Sequence, residues 1–279
     1  MLWIIYVALF LRILFFDRID VAQLFPSTFH DACGTWTFIH KLHPIFSGLL
    51  CGTELPASLK SLFLQLGVFH WFVASGGHLV FLQAFLQRLH IRHFVLTMTL
   101  LLAFSMTCGL QPPIVRAFMG ILLVRLSLRW ALFLRPHQIT LLAGLASLLV
   151  FPQWYTSFSF QLSWLVALAL PWSSKHTVQS LWVSVLLIPL SFQWSFLHLL
   201  YNIVLTPLFS VVLFPLSILF FALAPWTLIG NSMWEFVILC CQYLPKDHNP
   251  LNLPSPMLCW VYILGIHCAH MIYQKARHA

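Results

Sequence analysis

The sequence predicts an all-α fold: a polytopic integral membrane bundle of about ten transmembrane or re-entrant helices. Three observations predict it. First, 61% of the 279 residues are hydrophobic and only 7% are charged, whereas soluble domains carry about 25% charged residues. A surface so poor in charge cannot face water throughout, which reads as an integral membrane protein. Second, apolar runs recur along the whole length, long enough to cross a hydrocarbon core of roughly 30 Å as helices. Third, strand-type alternation is absent. In lipid the backbone must satisfy itself, so helices are expected rather than a barrel.

The candidate spans fall near 1–16, 62–87, 94–110, 113–132, 138–151, 158–172, 178–196, 199–223, 232–244 and 257–273. The first, within MLWIIYVALFLRILFFDRID, lacks a basic start and a small-residue cleavage site. It reads as a retained span or signal anchor. Residues 17–61 hold Pro26, Pro44, Pro56, Gly48 and Gly52, and read as an irregular loop with one short helix. The second span is interrupted by Ser75, Gly76 and Gly77, where a local break is expected. Pro112 and Pro113 suit the start of the fourth, because the first helical N–H groups have no intrahelical partner. The fifth and ninth spans are short enough to be re-entrant. In the eighth, Pro207 implies a kink.

Basic residues set the orientation. Arg88 and Arg92 follow the second span, Arg125, Arg129 and Arg135 crowd the end of the fourth, Lys175 follows the sixth, and Lys275 and Arg277 follow the tenth. With alternating spans all lie on one side, which is therefore cytoplasmic, with both termini inside and 17–61 outside. Arg18, Lys41, Lys60 and Lys246 run against this bias. The net charge of +8 has two readings, that same bias and attraction of a polyanion.

Polar residues inside apolar runs are the candidate functional positions. Ser75 and His78 share a helical face, with His70 two turns before on roughly the same face. They read either as a polar site on a broken helix or as close helix packing. Arg116 lies one turn inside the fourth span, where a charge is a functional-site signal. It has three open readings: pairing with Glu235, snorkelling outward, or meeting a phosphate. Gln161 and Asn202 are mid-span amides able to hydrogen-bond between helices. Cys33 and Cys51 lie on the long loop and can pair if that loop faces an oxidising compartment. Cys108, Cys240, Cys241, Cys259 and Cys268 read as small hydrophobes. No phosphate-loop or zinc-hydrolase motif is present, and His90 and His93 lack a nearby carboxylate, so neither a metal nor a cofactor is expected.

Four segments in order resemble one family. GVFHWFVASGGHLVFL, PPIVRAFMGILLVRL, FPQWYTSFSFQLSWLVAL and IPLSFQWSFLHLLYNIVLTPLF are similar to motifs of the ComEC-type competence proteins. His70, Ser75, Gly76 and His78 match the first motif, and Pro113, Arg116 and Met119 the second. Pro152, Phe160, Gln161, Leu162 and Ser163 match the third, and Pro189, Asn202 and Pro207 the fourth. Gly77 stands where the family usually has Leu, Ser159 where it has Gly, and Phe151 replaces an acidic residue.

The resemblance implies a channel component of the bacterial inner membrane that takes up single-stranded DNA in natural transformation. On that basis 1–44 is an N-terminal span and outer loop, 45–225 the competence-type membrane domain, and 226–279 C-terminal spans on the same bundle. His70, Ser75, Gly76, His78, Arg116, Gln161 and Asn202 become candidates to line the DNA path or a cavity. The 17–61 loop is too short for the family's OB-type domain, and no His-x-His-x-Asp-His run is present. Nuclease activity is therefore not carried over and no enzyme is expected. Separate nuclease or OB-domain proteins, a DNA receptor, an ATP-driven cytoplasmic translocase and further copies of the chain are the implied partners. The alternatives are an intramembrane serine hydrolase using Ser75, a small-solute transporter, and a membrane scaffold. Against the hydrolase, side chains three apart on one helix rarely meet head to head.

Overall fold

The computed structural model describes residues 27–72, 75–91, 93–169, 182–183, 185–186, 196–223, 226–246 and 255–277. Among these the regular structure is helical, with no strand. The expected spans 1–16 and most of 178–196 lie outside the described residues.

Residues 28–51, expected as irregular loop with one short helix, are instead mostly helical, and the stretch 45–51 is largely buried. Helix α1 runs Thr28–Ile39, and α2, Pro44–Phe46, continues into a π-helical turn, Ser47–Cys51. Ile45, Phe46, Leu49 and Cys51 have no exposed surface. The prolines and glycines that suggested a loop serve other purposes here: Pro44 begins α2, and Gly52 ends the π turn in the left-handed region. Helix α3, Ala57–Gln65, follows Pro56.

The second span is broken. Helix α4, Phe69–Phe72, and α5, Gly76–Arg88, are separate, and Ser75 is extended (φ −127°, ψ 161°) as the N-cap of α5. Four further helices match their expected spans: α6 Phe94–Thr107, α7 Pro112–Arg129, α8 Pro136–Val150 and α9 Phe158–Ala169. The eighth span comprises α10 Phe196–Leu208, a π-helical turn Phe209–Leu213, and α11 Phe214–Ala222. Pro215 has no N–H, and its ring crowds the carbonyl of Val211, which the wider π turn accommodates. Helices α12, Thr227–Tyr243, and α13, Pro256–Arg277, complete the described fold. The stretch 197–222 is, among the described residues, the one helix long and apolar enough to cross a membrane by length and composition.

The helices form two compact units, one from Ser27–Ile114 with Gln193–Leu251, the other including Val115–Phe192 with Asn252–Ala279. This division cuts the chain differently from the segments 1–44, 45–225 and 226–279. In the first unit, Phe63 stacks on Phe72 at 3.8 Å, Phe72 meets Trp234 edge-on, and Phe209 packs on Trp71. In the second, the core uses one face of each helix: Leu141, Leu145 and Leu148 from α8, Trp164, Leu165 and Leu168 from α9, and Cys259, Ile263 and Ile266 from α13. These i, i+3 and i+4 spacings are the helical period that brings side chains to one stripe.

Candidate functional site

The Ser75–His78 segment is a polar staple. His78 is only 1% exposed. Its Nδ1 accepts the Ser75 backbone N–H at 2.9 Å, and its Nε2 lies 2.7 Å from the Trp71 carbonyl oxygen. An accepting Nδ1 leaves the proton on Nε2, which donates to Trp71. One neutral imidazole thus ties the end of α4 to the start of α5, replacing the Glu or Gln of an ordinary capping box. The Ser75 hydroxyl is 3.3 Å from the same Nδ1. The two side chains therefore do meet, contrary to the expectation from a continuous helix, because Ser75 is an extended cap rather than a helical residue. His70 is exposed, whereas His78 is buried.

Gly77 has no left-handed backbone, and an added Cβ would meet only Ser75 Oγ at 3.5 Å and Phe81 at 3.9 Å. The opening at this position is made by the extended Ser75, and Gly77 is not needed for it.

The first and fourth motif segments are clasped together. Asn202 Nδ2 donates to the Gly67 carbonyl at 3.3 Å and to the His198 carbonyl at 2.7 Å. His198 Nε2 lies 3.1 Å from the Gln65 carbonyl oxygen, and its ring rests against Gly67, whose φ is +69°. These contacts satisfy carbonyls at the end of α3, which have no partner within their own helix. His198 was not singled out from sequence. The available signal was its i, i+4 spacing to Asn202, which places both on one helical face.

The second and third motif segments are also joined. Arg116 is 8% exposed, and its Nε donates to Ser163 Oγ at 2.9 Å. It does not snorkel outward, and among the described residues it has no carboxylate partner. A serine hydroxyl orients the guanidinium without neutralising its charge.

Gln161 is fully buried, and its Nε2 donates to the carbonyls of Tyr155 at 2.8 Å and Pro256 at 3.2 Å, while Oε1 has no partner among the described residues. The amide therefore links the start of α9 to the start of α13. Trp164 Nε1 donates to His267 Nε2 at 3.0 Å across the same two helices. The expected lining residues His78, Arg116 and Gln161 are thus enclosed hydrogen-bonding groups, while Ser75, Gly76 and Asn202 are half-buried.

Cys33 and Cys51 form a disulfide with a Cα–Cα distance of 5.5 Å, joining α1 to the π turn. Among the described residues no three His, Cys, Asp or Glu side chains converge as a metal-binding group.

These features define a helical protein whose polar residues fasten broken helices in pairs of motif segments. The family model described as competence protein matches residues 49–276. The chain therefore belongs to the competence protein family, whose role lies in DNA uptake for transformation. No curated protein and no solved structure matches it.

Proposed function

We propose that the chain is a multi-pass component of the bacterial inner membrane that conducts single-stranded DNA inward, without catalytic chemistry of its own. The observation that carries this reading is the family match over 49–276. The pairing of its motif segments, first with fourth and second with third, supports it.

The outward surface supports a lipid setting. Leu200, Val204, Leu208, Val211 and Leu219 on α10–α11 and Met257, Val261 and Leu264 on α13 are exposed. Such faces are unfavourable in water and ordinary against acyl chains.

The α1–α2 hairpin supports the orientation with both termini inside. His30 Nδ1 lies 3.2 Å from the Thr107 carbonyl oxygen at the end of α6, which the alternation of spans places outside. At the hairpin tip, Asn231 accepts the His43 N–H and donates to the Lys41 carbonyl, and the alternation places Asn231 inside. Helix α1, about 18 Å long by its rise per residue, therefore dips inward as a re-entrant element. The chain returns outward to Gly52, whose carbonyl accepts from Gln111. Lys41, which ran against the charge bias as part of an outer loop, now falls at the basic inner end. The disulfide near the outer end suits an oxidising compartment.

A polyanion needs donors and little negative charge along its path. Arg116, fixed by Ser163, is the residue assigned to meet the strand's phosphates, and the chain has only 6 acidic residues. Separate nuclease or OB-domain proteins, a DNA receptor and an ATP-driven translocase supply the remaining steps, and the channel itself could contain several copies.

The test is uptake of labelled DNA into the cytoplasm of a transformable host. Deletion abolishes it, and Arg116→Ala at equal expression lowers it at least tenfold. Unchanged uptake on deletion refutes the channel reading. Unchanged uptake in Arg116→Ala removes that residue from the path.

A serine hydrolase reading has one observation in its favour, the 3.3 Å approach of Ser75 Oγ to His78 Nδ1. The same Nδ1 already accepts the Ser75 N–H, so it has no free lone pair to act as a base. Labelling of Ser75 by a fluorophosphonate probe would reverse this judgement.

A further inference from the structure

The geometry points to an outer-face groove between α3 and the end of α12 as a docking site for the phosphodiester backbone of the incoming strand. This rests on the DNA-uptake reading above. The groove, about 510 Å³, is lined by Ser58, Ser61, Gln65, Gln242 and Lys246, with Leu62 at its base. That volume lies within the roughly 300–1,000 Å³ of ligand pockets.

Ser58, Ser61 and Gln65 fall at i, i+3 and i+7 and so share one face of α3. Five polar side chains converge, and among the described residues no carboxylate lines the groove. Among the described residues none of these five side chains makes a hydrogen bond or ion pair. Two hydroxyls, two amides and an ammonium with no partner among the described residues are the donor set that phosphate oxygens accept from.

Both walls are braced by one helix. His198 on α10 holds the Gln65 carbonyl, and Tyr201, three residues on, donates its hydroxyl to the Pro245 carbonyl at 2.9 Å. Lys246 is therefore presented from a pinned backbone. Its place also accounts for an anomaly in the charge pattern. With Lys41 at the inner end, Lys60 and Lys246 remain as described basic residues on the outer side, against the usual bias. Lys60 lies on α3 itself, with Nζ 5.9 Å from the Phe69 ring centroid. Positive charge placed there serves a polyanion arriving from outside.

The experiment uses the full chain in nanodiscs of zwitterionic phosphatidylcholine and a short fluorescein-labelled oligothymidylate, read by anisotropy across a salt series. Lys246→Ala is expected to weaken binding about fivefold, the worth of one exposed ion pair. It should also reduce the log–log salt slope by about 0.7, one phosphate contact on a single strand. Lys246→Arg retains both. Ser61→Asp, on the opposite wall, weakens binding in the same way and guards against a folding defect in either variant alone.

Wild-type affinity and slope in both Lys246→Ala and Ser61→Asp overturn the groove, and if deletion still abolishes uptake the channel reading stands. If the wild type binds no oligonucleotide at all, both readings fail. If the variants change only retention of phosphatidylglycerol added to the nanodiscs, the occupant is a lipid headgroup and the proposal is overturned.

Discussion

Gly67→Ala tests whether the first and fourth motif segments are held together as described. Gly67 has a φ of +69°, and an added Cβ would lie 2.7 Å from both Cβ and Cδ2 of His198, with Cγ also in contact. Real Cβ atoms essentially never approach so closely, and because the His198 Cβ is itself too near, α10 must shift and carry the imidazole with it. Left-handed backbone costs a non-glycine residue about 1–2 kcal/mol. Moving the ring breaks the His198–Gln65 hydrogen bond and weakens the Asn202–Gly67 bond, each worth about 0.5–1.5 kcal/mol. The sum is a destabilisation of about 2–5 kcal/mol, or a fall in Tm of roughly 5–15 °C for a chain of this size. Thermal unfolding of the purified protein in detergent measures it. In a His198→Gly background, which removes the Cβ together with the ring, these contacts are gone, and the same substitution should cost only the backbone part, about 1–2 kcal/mol. A Gly67→Ala protein within about 0.5 kcal/mol of wild type, or an equal cost in both backgrounds, refutes the clasp.

Three further outcomes follow from the geometry. Cys33→Ser, or reduction with dithiothreitol, opens a link spanning 18 residues and should lower stability by about 3 kcal/mol by the loop-entropy relation; an unchanged Tm under reduction would show that the bond is absent from the native protein. Gly77→Ala should be neutral or stabilising by up to about 1 kcal/mol, because the added methyl meets nothing closer than 3.5 Å, and a loss above 1 kcal/mol would restore a need for glycine there. Burial lowers the pKa of His43 at the hairpin tip, and the Glu235 carboxylate partly opposes this. The unfolded chain then takes up the proton first as pH falls through about 6.5, so stability is complete above that value and declines on acidification. His43→Asn keeps an acceptor for the Ile45 N–H and should flatten the dependence of Tm on pH between neutrality and mild acid. An unaltered slope would exclude His43 as its source.

Much of the helical framework was legible because helix-forming information is local. The runs that became α6, α7, α8, α9, α12 and α13 announced themselves by length and apolar content, and Pro112 and Pro136 stand at the first residues of their helices. The α1–α2 hairpin was misread because its prolines and glycines look like loop punctuation. Its burial depends on α6 and α12, which lie far along the chain. The site residues show the same division. Ser75, His78, Arg116, Gln161 and Asn202 stood out as polar groups within apolar runs, but apart from the Ser75–His78 pair their partners did not.

By itself, then, the sequence determined the helical class, the family motifs and the positions where polar groups must be satisfied away from water. The tertiary structure alone decided what satisfies them. Asn202 reaches Gly67 across 135 positions, and Arg116 reaches Ser163 across 47. The physical reason is that an apolar surrounding obliges a polar group to find a partner without specifying which one. Helical period fixes the face on which a side chain sits, and only the packing of one helix against another brings a carbonyl or a hydroxyl within 3 Å of it.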